Sequence, residues 1–229
     1  MESGFLLIDK KEGLTSQDVD RNARKILGER KVGHLGTLDP FASGLLILAL
    51  NDATRLLPLI EDETKTYLAT LRLGEKKDTG DCYGKTVLEK DIRPFDDKRI
   101  EEVFSSFLGK QLQVPPRYSA IHIDGKRAYR LAVKDEEFDL PTRQIEIFSL
   151  NLVDWNQSGI TFRTTVSKGT YIRSLGEDIA SRLDNLGYLS SLRRESIGDY
   201  SLKGSIPSDR IDKDSLIPMD SFLKKKTIE

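Results

Sequence analysis

The residues best suited to chemistry lie in one short, glycine-rich stretch, residues 33–44. It contains one imidazole, from His34, and one carboxylate, from Asp39. Glycine adopts backbone angles that other residues avoid and lets a ligand approach the main chain closely. Because Asp39 precedes Pro40, its backbone is biased away from the α-helix, and a loop can present its carboxylate. The stretch therefore predicts a loop that carries a catalytic or binding carboxylate.

The same residues have plainer interpretations. Asp-Pro is common in turns, where the aspartate accepts hydrogen bonds from backbone amides. A phosphate-binding loop is a second alternative, but the stretch lacks the Gly-Lys-Ser/Thr ending of a Walker-type loop. From residue types alone a turn is the commoner role for Asp39, so the rest of the chain must decide.

Composition limits the kinds of protein that the chain can be. Its 229 residues suffice for one sizeable core, or for a core with a small appendage. The net charge is −1, so RNA binding would depend on local patches of Lys and Arg. A lone cysteine, Cys82, excludes an intrachain disulfide, and the two histidines lack metal-ligand spacing. With no signal-like N-terminus and no apolar stretch of membrane-spanning length, we expect a cytoplasmic protein.

Hydrophobic spacing predicts the elements that must position this loop. A helix begins at Thr15 or Ser16, and its apolar face carries Val19, Ala23, Ile26 and Leu27. Strands are expected at residues 5–8, 45–50, 65–74, 144–154 and 160–167, and helices at 53–60, 96–108 and 172–183, with Gly109 ending the second. Residues 118–143 are expected to form a protruding arm, and a polar tail closes the chain. Because strands and helices alternate without βαβ regularity, the class is α+β with a mixed sheet.

Seven segments occur in the order that is typical of one enzyme family. Residues 33–44 closely resemble the signature loop of the TruB family of tRNA pseudouridine synthases, Gly-His-x-Gly-x-Leu-Asp-Pro-x-Ala-x-Gly. The other matching segments are residues 4–10, 65–67, 78–81, 115–120, 168–173 and 192–194. This resemblance, which spans nearly the whole chain, implies the pseudouridine synthase fold, a largely antiparallel central sheet flanked by helices. It also implies an RNA-gripping loop, assigned here to 118–143.

The resemblance implies a reaction on tRNA. One uridine of the T-loop, at position 55 in tRNA numbering, is isomerised to pseudouridine without a metal or an organic cofactor. The bond from ribose to uracil N1 breaks, the base turns, and it is rejoined through C5. The base must first leave the loop and enter a pocket, which costs a few kcal/mol. The implied partner is the T-stem-loop of tRNA, with no guide RNA and no membrane, and the expected state is a monomer.

The resemblance also implies roles for single residues. Asp39 is the catalytic carboxylate, and Arg173 is its candidate cationic partner, since a guanidinium can hold a carboxylate bidentately. Asp81 orients Arg173 or caps a turn, and Lys10 contacts a phosphate. Four residues contact the flipped nucleotide or the stack that it leaves: His34, Tyr67, Tyr171 and Leu192. Taken singly, these residues have structural alternatives, which are core packing for Tyr67 and Leu192, local hydrogen bonds for His34 and a surface position for Arg173.

Three other functions stay open. An RNA chaperone could keep the fold without the chemistry, although the joint presence of Asp39, Tyr67 and Arg173 argues against it. A guide-RNA-dependent synthase relies on a C-terminal domain of the PUA type, and the residues after Asp220 are too few for one, so residues 1–229 are expected to be a single catalytic domain. A glycosidase would need two carboxylates, such as Asp39 and Asp81. Whether Asp39 attacks C6, attacks C1′ or assists glycal formation is also open.

Overall fold

The computed structural model describes residues 2–60, 63–119, 121–123, 125–134 and 138–224. The strands are β1 (Gly4–Lys10), β2 (Val32–Leu35), β3 (Ser43–Leu50), β4 (Lys65–Leu73), β5 (Glu75–Lys77), β6 (Thr86–Glu89), β7 (Gly109–Gln113), β8 (His122–Ile123), β9 (Lys126–Arg127), β10 (Arg143–Asn156), β11 (Gly159–Val166), β12 (Gly187–Ile197), β13 (Tyr200–Ser201), β14 (Ile206–Pro207) and β15 (Ile217–Pro218). The helices are α1 (Ser16–Leu27), α2 (Leu57–Ile60), α3 (Asp97–Ser105), α4 (Ala128–Val133), α5 (Ile172–Arg182) and α6 (Met219–Lys224), with a 3-10 helix at Asn51–Leu56. Across the described residues, no helix has the length and apolar character that a membrane crossing needs.

The chain divides into two compact units, Met1–Tyr67 with Leu192–Glu229, and Leu68–Ser191. The strands β4 and β12 contribute residues to both. In the first unit the strand order is β14–β1–β3–β12, and in the second it is β12–β4–β11–β10–β7. Antiparallel pairs predominate, whereas β1–β14 and β3–β12 are parallel. The predicted α+β class with a largely antiparallel sheet is therefore confirmed, while the assignment of one domain to residues 1–229 stays a prediction.

The core of the first unit encloses β1 and β3 on both faces. Helix α1 covers one face, and the 3-10 helix, α2 and α6 cover the other. A strand that is buried on both faces is apolar at every position rather than at alternate ones. This explains the unbroken apolar run at residues 45–50, whose side chains alternate between the two clusters.

The predicted strands and helices are present, with shifted boundaries and two wrong details. Ile26 is 51% exposed, because the buried face of α1 also carries the polar Ser16 and Asp20, which turns Ile26 to its edge. Gly109 does not end α3. The helix stops at Ser105 and is followed by a tighter turn, and Gly109 instead begins β7.

Two segments fold differently from expectation. Residues 33–35 belong to β2 rather than to a loop, because antiparallel pairing with β3 satisfies their backbone groups, so the loop shortens to residues 36–42. The polar C-terminal tail forms three short strands and α6. Within α6, Phe222 stacks on Phe5 at 3.8 Å and on Tyr200 at 4.2 Å between ring centroids. A single aromatic residue in a polar segment gives no periodic signal.

Residues 118–143, the predicted arm, contain β8, β9 and α4. Residues 120, 124 and 135–137 of this segment lie outside the described residues. The closure of this arm on RNA therefore stays a prediction.

Candidate functional site

Arg194 fixes the two ends of the loop that carries Asp39. Its side chain is buried, and it donates to the carbonyl oxygen of Gly36 at 2.8 Å and to that of Leu45 at 2.7 Å. At Gly44, where φ is +104°, an added Cβ would lie 2.3 Å from the carbonyl oxygen of Arg194. Only glycine fits where β3 approaches β12 this closely. The last glycine of the motif is therefore a packing requirement.

The middle of the loop is tied to the chain around the start of α1. The hydroxyl of Ser16 accepts from the amide of Leu38 at 2.9 Å and donates to its carbonyl at 3.2 Å. The amide of Gly13 donates to the carbonyl of Pro40 at 2.8 Å. These bonds hold the residues on both sides of Asp39, whose own side chain is partly exposed. The loop thus presents a half-buried carboxylate on a fixed backbone.

Lys10 places a buried ammonium near this carboxylate. Its Nζ donates to the carbonyl oxygens of Leu14 at 2.7 Å and Lys11 at 3.0 Å, and its side chain has no exposed surface. Burial lowers the pKa of Lys10 to about 8; the negative charge of Asp39 opposes this shift and the positive charge of Arg194 adds to it. In this structure the ammonium is buried, and the phosphate contact suggested for Lys10 stays a prediction. Its charge lies close enough to interact with that of Asp39.

His34 forms a contact that sequence reasoning missed. Its Nδ1 lies 2.8 Å from Oδ2 of Asp20, and its Nε2 lies 3.3 Å from Oγ1 of Thr37. The side chains of His34 and Asp20 are 15% and 8% exposed. The signal that could have revealed Asp20 is its position on the buried face of an amphipathic helix, since a buried charge needs a partner.

Tyr67 and Leu192 complete the predicted residues of the first unit. They are 8% and 5% exposed, as their positions in β4 and β12 favour. Tyr67 shares the buried face of β4 with Ala69 and Leu71. Core packing accounts for both side chains, and contact with a flipped nucleotide stays a prediction for each.

In the second unit, Arg173 joins two segments of the chain. It is 3% exposed and donates from Nη1 to the carbonyl of Thr79 at 2.7 Å and from Nη2 to that of Tyr118 at 2.9 Å. Its Nη1 lies 3.8 Å from Oδ2 of Asp81. The other oxygen of Asp81 accepts from the amide of Tyr83 at 3.0 Å. Asp81 therefore both neighbours Arg173 and caps a turn, which were the two roles considered for it.

Tyr171 is held by a residue that the sequence did not suggest. The side chain of Gln113, which is buried, accepts from the amide of Tyr171 at 2.8 Å and donates to its carbonyl at 3.0 Å. The guanidinium of Arg143 lies 5.5 Å from the centroid of the Tyr171 ring. Gln113 thus fixes the backbone where the Lys-Gly-Thr-Tyr-Ile-Arg segment enters α5.

A cavity of about 740 Å³ is lined in part by Thr79 and Tyr118, whose carbonyl oxygens accept hydrogen bonds from Arg173. Its wall includes Glu177 and Asp178 of α5, and burial raises the pKa of both carboxyls. The cavity lies within the second unit.

Comparison with known proteins decides the family. Residues 24–172 match the model described as TruB family pseudouridylate synthase, N-terminal domain. The chain belongs to the TruB family. Its membership agrees with the seven ordered motifs, whose residues divide between the two units: Lys10, His34, Tyr67, Asp39 and Leu192 lie in the first, and Asp81, Tyr171 and Arg173 lie in the second.

Curated TruB relatives resemble the chain over most of its length. A protein of Syntrophomonas wolfei named tRNA pseudouridine synthase B is 44% identical over 213 residues, which are 91% of this chain and 71% of the relative. Proteins of the same name from Geobacter sulfurreducens and Borrelia garinii are 41% and 38% identical and are covered over 68% and 81% of their lengths.

Solved structures share the fold at lower identity. A Cbf5-Nop10-Gar1 complex contains a chain that is 28% identical, with a TM-score of 0.70. An H/ACA RNP bound to a substrate RNA that contains 2′-deoxyuridine contains one that is 26% identical, with a TM-score of 0.67. Both matches cover 99% of this chain, which spans 57% and 56% of those chains.

Proposed function

We propose that this TruB-family chain converts a T-loop uridine of tRNA to pseudouridine, with Asp39 as the catalytic carboxylate. The observation that carries the proposal is the anchored loop. Arg194, Ser16 and Gly13 hold the backbone on both sides of Asp39 while its side chain stays partly exposed. Fixing a reactive group in advance removes entropy and reorganisation costs from the reaction itself.

The reaction is an isomerisation, so no second substrate is consumed. The C1′–N1 bond breaks, the C1′–C5 bond forms, N1 gains a proton and C5 loses one. An ionised carboxylate at residue 39 can act as a nucleophile or stabilise positive charge on the sugar. Lys10 and Arg194 supply positive charge near the loop, where it can attract the negative charge of a substrate or of a reacting carboxylate.

The remaining roles follow from the family and are part of the proposal. His34, Tyr67, Tyr171 and Leu192 bind the flipped nucleotide or the stack that it leaves, and Arg173 is the cation for Asp39, oriented by Asp81. The chain acts in the cytoplasm as a monomer, on tRNA itself and without a guide RNA. The test includes the guide-dependent alternative, because one solved relative, at 26% identity, is part of an H/ACA RNP.

The test is a conversion assay with purified protein and a T-stem-loop RNA, without guide RNA. Pseudouridine is mapped by chemical modification and primer extension, and an RNA with cytidine at the target position is the matched control. Conversion of the T-loop uridine, and of no other uridine, supports the proposal. If the protein binds both the stem-loop and intact tRNA but converts a uridine in neither, the result favours an RNA chaperone. Conversion only after a guide RNA is added favours the ribonucleoprotein alternative.

A further inference from the structure

Asp20 contacts His34 next to the loop that carries Asp39, and the mechanism above gives Asp20 no role. Asp20 belongs to α1 and His34 to β2, so their contact joins the two elements that precede the loop. The distance from Nδ1 to Oδ2 is 2.8 Å, within the range of a charge-assisted hydrogen bond. Both side chains are largely buried, which shields the contact from competing water.

The chemistry of the pair fixes one ring nitrogen. An ionised carboxylate only accepts hydrogen bonds, so the ring must donate to it from Nδ1. Oδ1 of Asp20 is buried and has no hydrogen-bond partner within the part of the chain that the structure describes. His34 is therefore the side chain that compensates for burying this carboxylate, which makes the contact costly to break.

The other ring nitrogen faces the loop. Nε2 lies 3.3 Å from the hydroxyl of Thr37, and Thr37 is exposed two residues before Asp39. With Nδ1 committed to Asp20, the ring cannot rotate about its χ2 angle without losing the buried bond. Its Nε2 edge thus points toward the exposed side of the loop.

We propose that Asp20 is a positioning residue for His34. It fixes the orientation of the imidazole ring and determines which ring nitrogen carries the proton. The Nε2 edge is thereby oriented to contact RNA. This inference rests on the proposed function, because it assigns a purpose to the contact of His34 with the substrate. The same logic is known from catalytic triads, where a buried aspartate fixes the tautomer of a histidine. Here the histidine binds and does not transfer the proton.

The direct test is NMR of the imidazole nitrogens in wild type and in Asp20→Asn. The chain has two histidines, His34 and His122, so a His122→Gln variant assigns the signals and His122 is an internal reference. In wild type, Nδ1 of His34 carries a proton. In Asp20→Asn the amide can either donate or accept, so the Nδ1 and Nε2 shifts of His34 move while those of His122 do not. Unchanged shifts at His34 would overturn the proposal.

A kinetic cycle tests whether Asp20 acts through His34. We expect Asp20→Asn to raise the KM for a T-stem-loop about 10-fold while kcat changes much less, since a prepositioned binding contact is lost. The double variant with His34→Gln should then be no worse than His34→Gln alone. Losses that multiply in the double variant would contradict the proposal.

Asp18→Asn is the matched control for helix damage. Asp18 lies in the first turn of the same helix and closes its capping box with Thr15, so its loss weakens α1 without touching the ring of His34. It should leave the nitrogen shifts of His34 in place. If wild type converts no uridine at all, the proposed function fails, and the nitrogen shifts still decide whether Asp20 positions His34.

Discussion

Buried polar side chains hold the loop that carries Asp39. Four of them have almost no exposed surface and direct their polar atoms to the loop, to its neighbours or to His34: Lys10, Ser16, Asp20 and Arg194. Burying such groups is costly unless their hydrogen bonds are satisfied, and three of the four donate to backbone carbonyls. These hydrogen bonds hold the backbone of the loop and of its neighbours in place, while the carboxylate of Asp39 stays partly exposed.

Lys10→Met tests the cost of the buried ammonium. The pKa of Lys10 is about 8 in the folded chain, below its ordinary value of 10.5. Between these values the unfolded chain holds a proton that the folded chain has lost, so the contribution of Lys10 to stability rises with pH. Below pH 8 the burial penalty is fully present. Wild type should therefore gain stability relative to Lys10→Met as the pH rises from about 8 to 10.5, by at most about 3 kcal/mol.

The pH dependence separates this electrostatic effect from simple repacking. Unfolding by urea at several pH values should show the difference in unfolding free energy between the two proteins shifting in favour of wild type as the pH rises from about 8 toward 10.5. A difference from wild type that is constant across this range would mean that the ammonium is not penalised by burial.

A substitution at Gly44 tests the contact between β3 and β12. Gly44→Ala places a Cβ 2.3 Å from the Arg194 carbonyl, in a backbone with φ of +104°. Gly28, which caps α1 with φ of +69° and open space around it, is the matched control because its alanine variant has the backbone strain alone. We expect Gly28→Ala to lose about 1 kcal/mol of unfolding free energy and Gly44→Ala at least about 2 kcal/mol more. Equal losses would show that β3 and β12 separate easily.

At the scale of elements, the short helix α6 contributes to the core of the first unit more than its polar sequence suggests. Phe222 is 1% exposed between Phe5 and Tyr200, and Tyr200 donates from its hydroxyl to the carbonyl of Phe222 at 2.9 Å. Burial, with the nearby charges of Asp199 and Glu63, raises the pKa of Tyr200 to about 12. Helix α6 is therefore fixed to β1 by ring stacking, and to β13 by ring stacking and one hydrogen bond.

Phe222→Ala should destabilise the chain by about 3 kcal/mol, because it removes a large buried ring and leaves a cavity. Ile26→Ala is the control, since Ile26 is 51% exposed and its truncation should change the unfolding free energy by less than about 0.5 kcal/mol. Chemical denaturation of both variants measures the difference. A loss at Phe222 no larger than that at Ile26 would mean that α6 is not part of the cooperative core.

Across the whole molecule, local sequence patterns predicted the helices and strands. The hydrogen bonds that hold the loop of Asp39 mostly join residues that are distant in sequence, and local patterns did not predict them. The apolar run at 45–50 and the amphipathic spacing of α1 were sufficient to place β3 and α1. The strand character of residues 33–35 depends on pairing with β3, which no local pattern contains.

The site shows the same division. Motif resemblance selected Asp39, His34 and Arg173, because their segments are distinctive. It did not reveal the contacts of Arg194 with Gly36, or of Gln113 with Tyr171, because these partners are separated by 158 and 58 positions. Nor did it predict the burial of Lys10, which arises from packing around the side chain and not from its own segment.

The decisive experiment compares Asp39→Asn with wild type in two assays on one T-stem-loop RNA, turnover and binding. Asp52→Asn is the control, a matched change at an exposed aspartate of the same unit. We expect Asp39→Asn to lower turnover at least about 1,000-fold while RNA affinity and unfolding free energy stay close to wild type, and Asp52→Asn to change neither assay. If Asp39→Asn retains turnover, or loses it only because the protein no longer folds, Asp39 is a structural residue and the proposed mechanism is wrong.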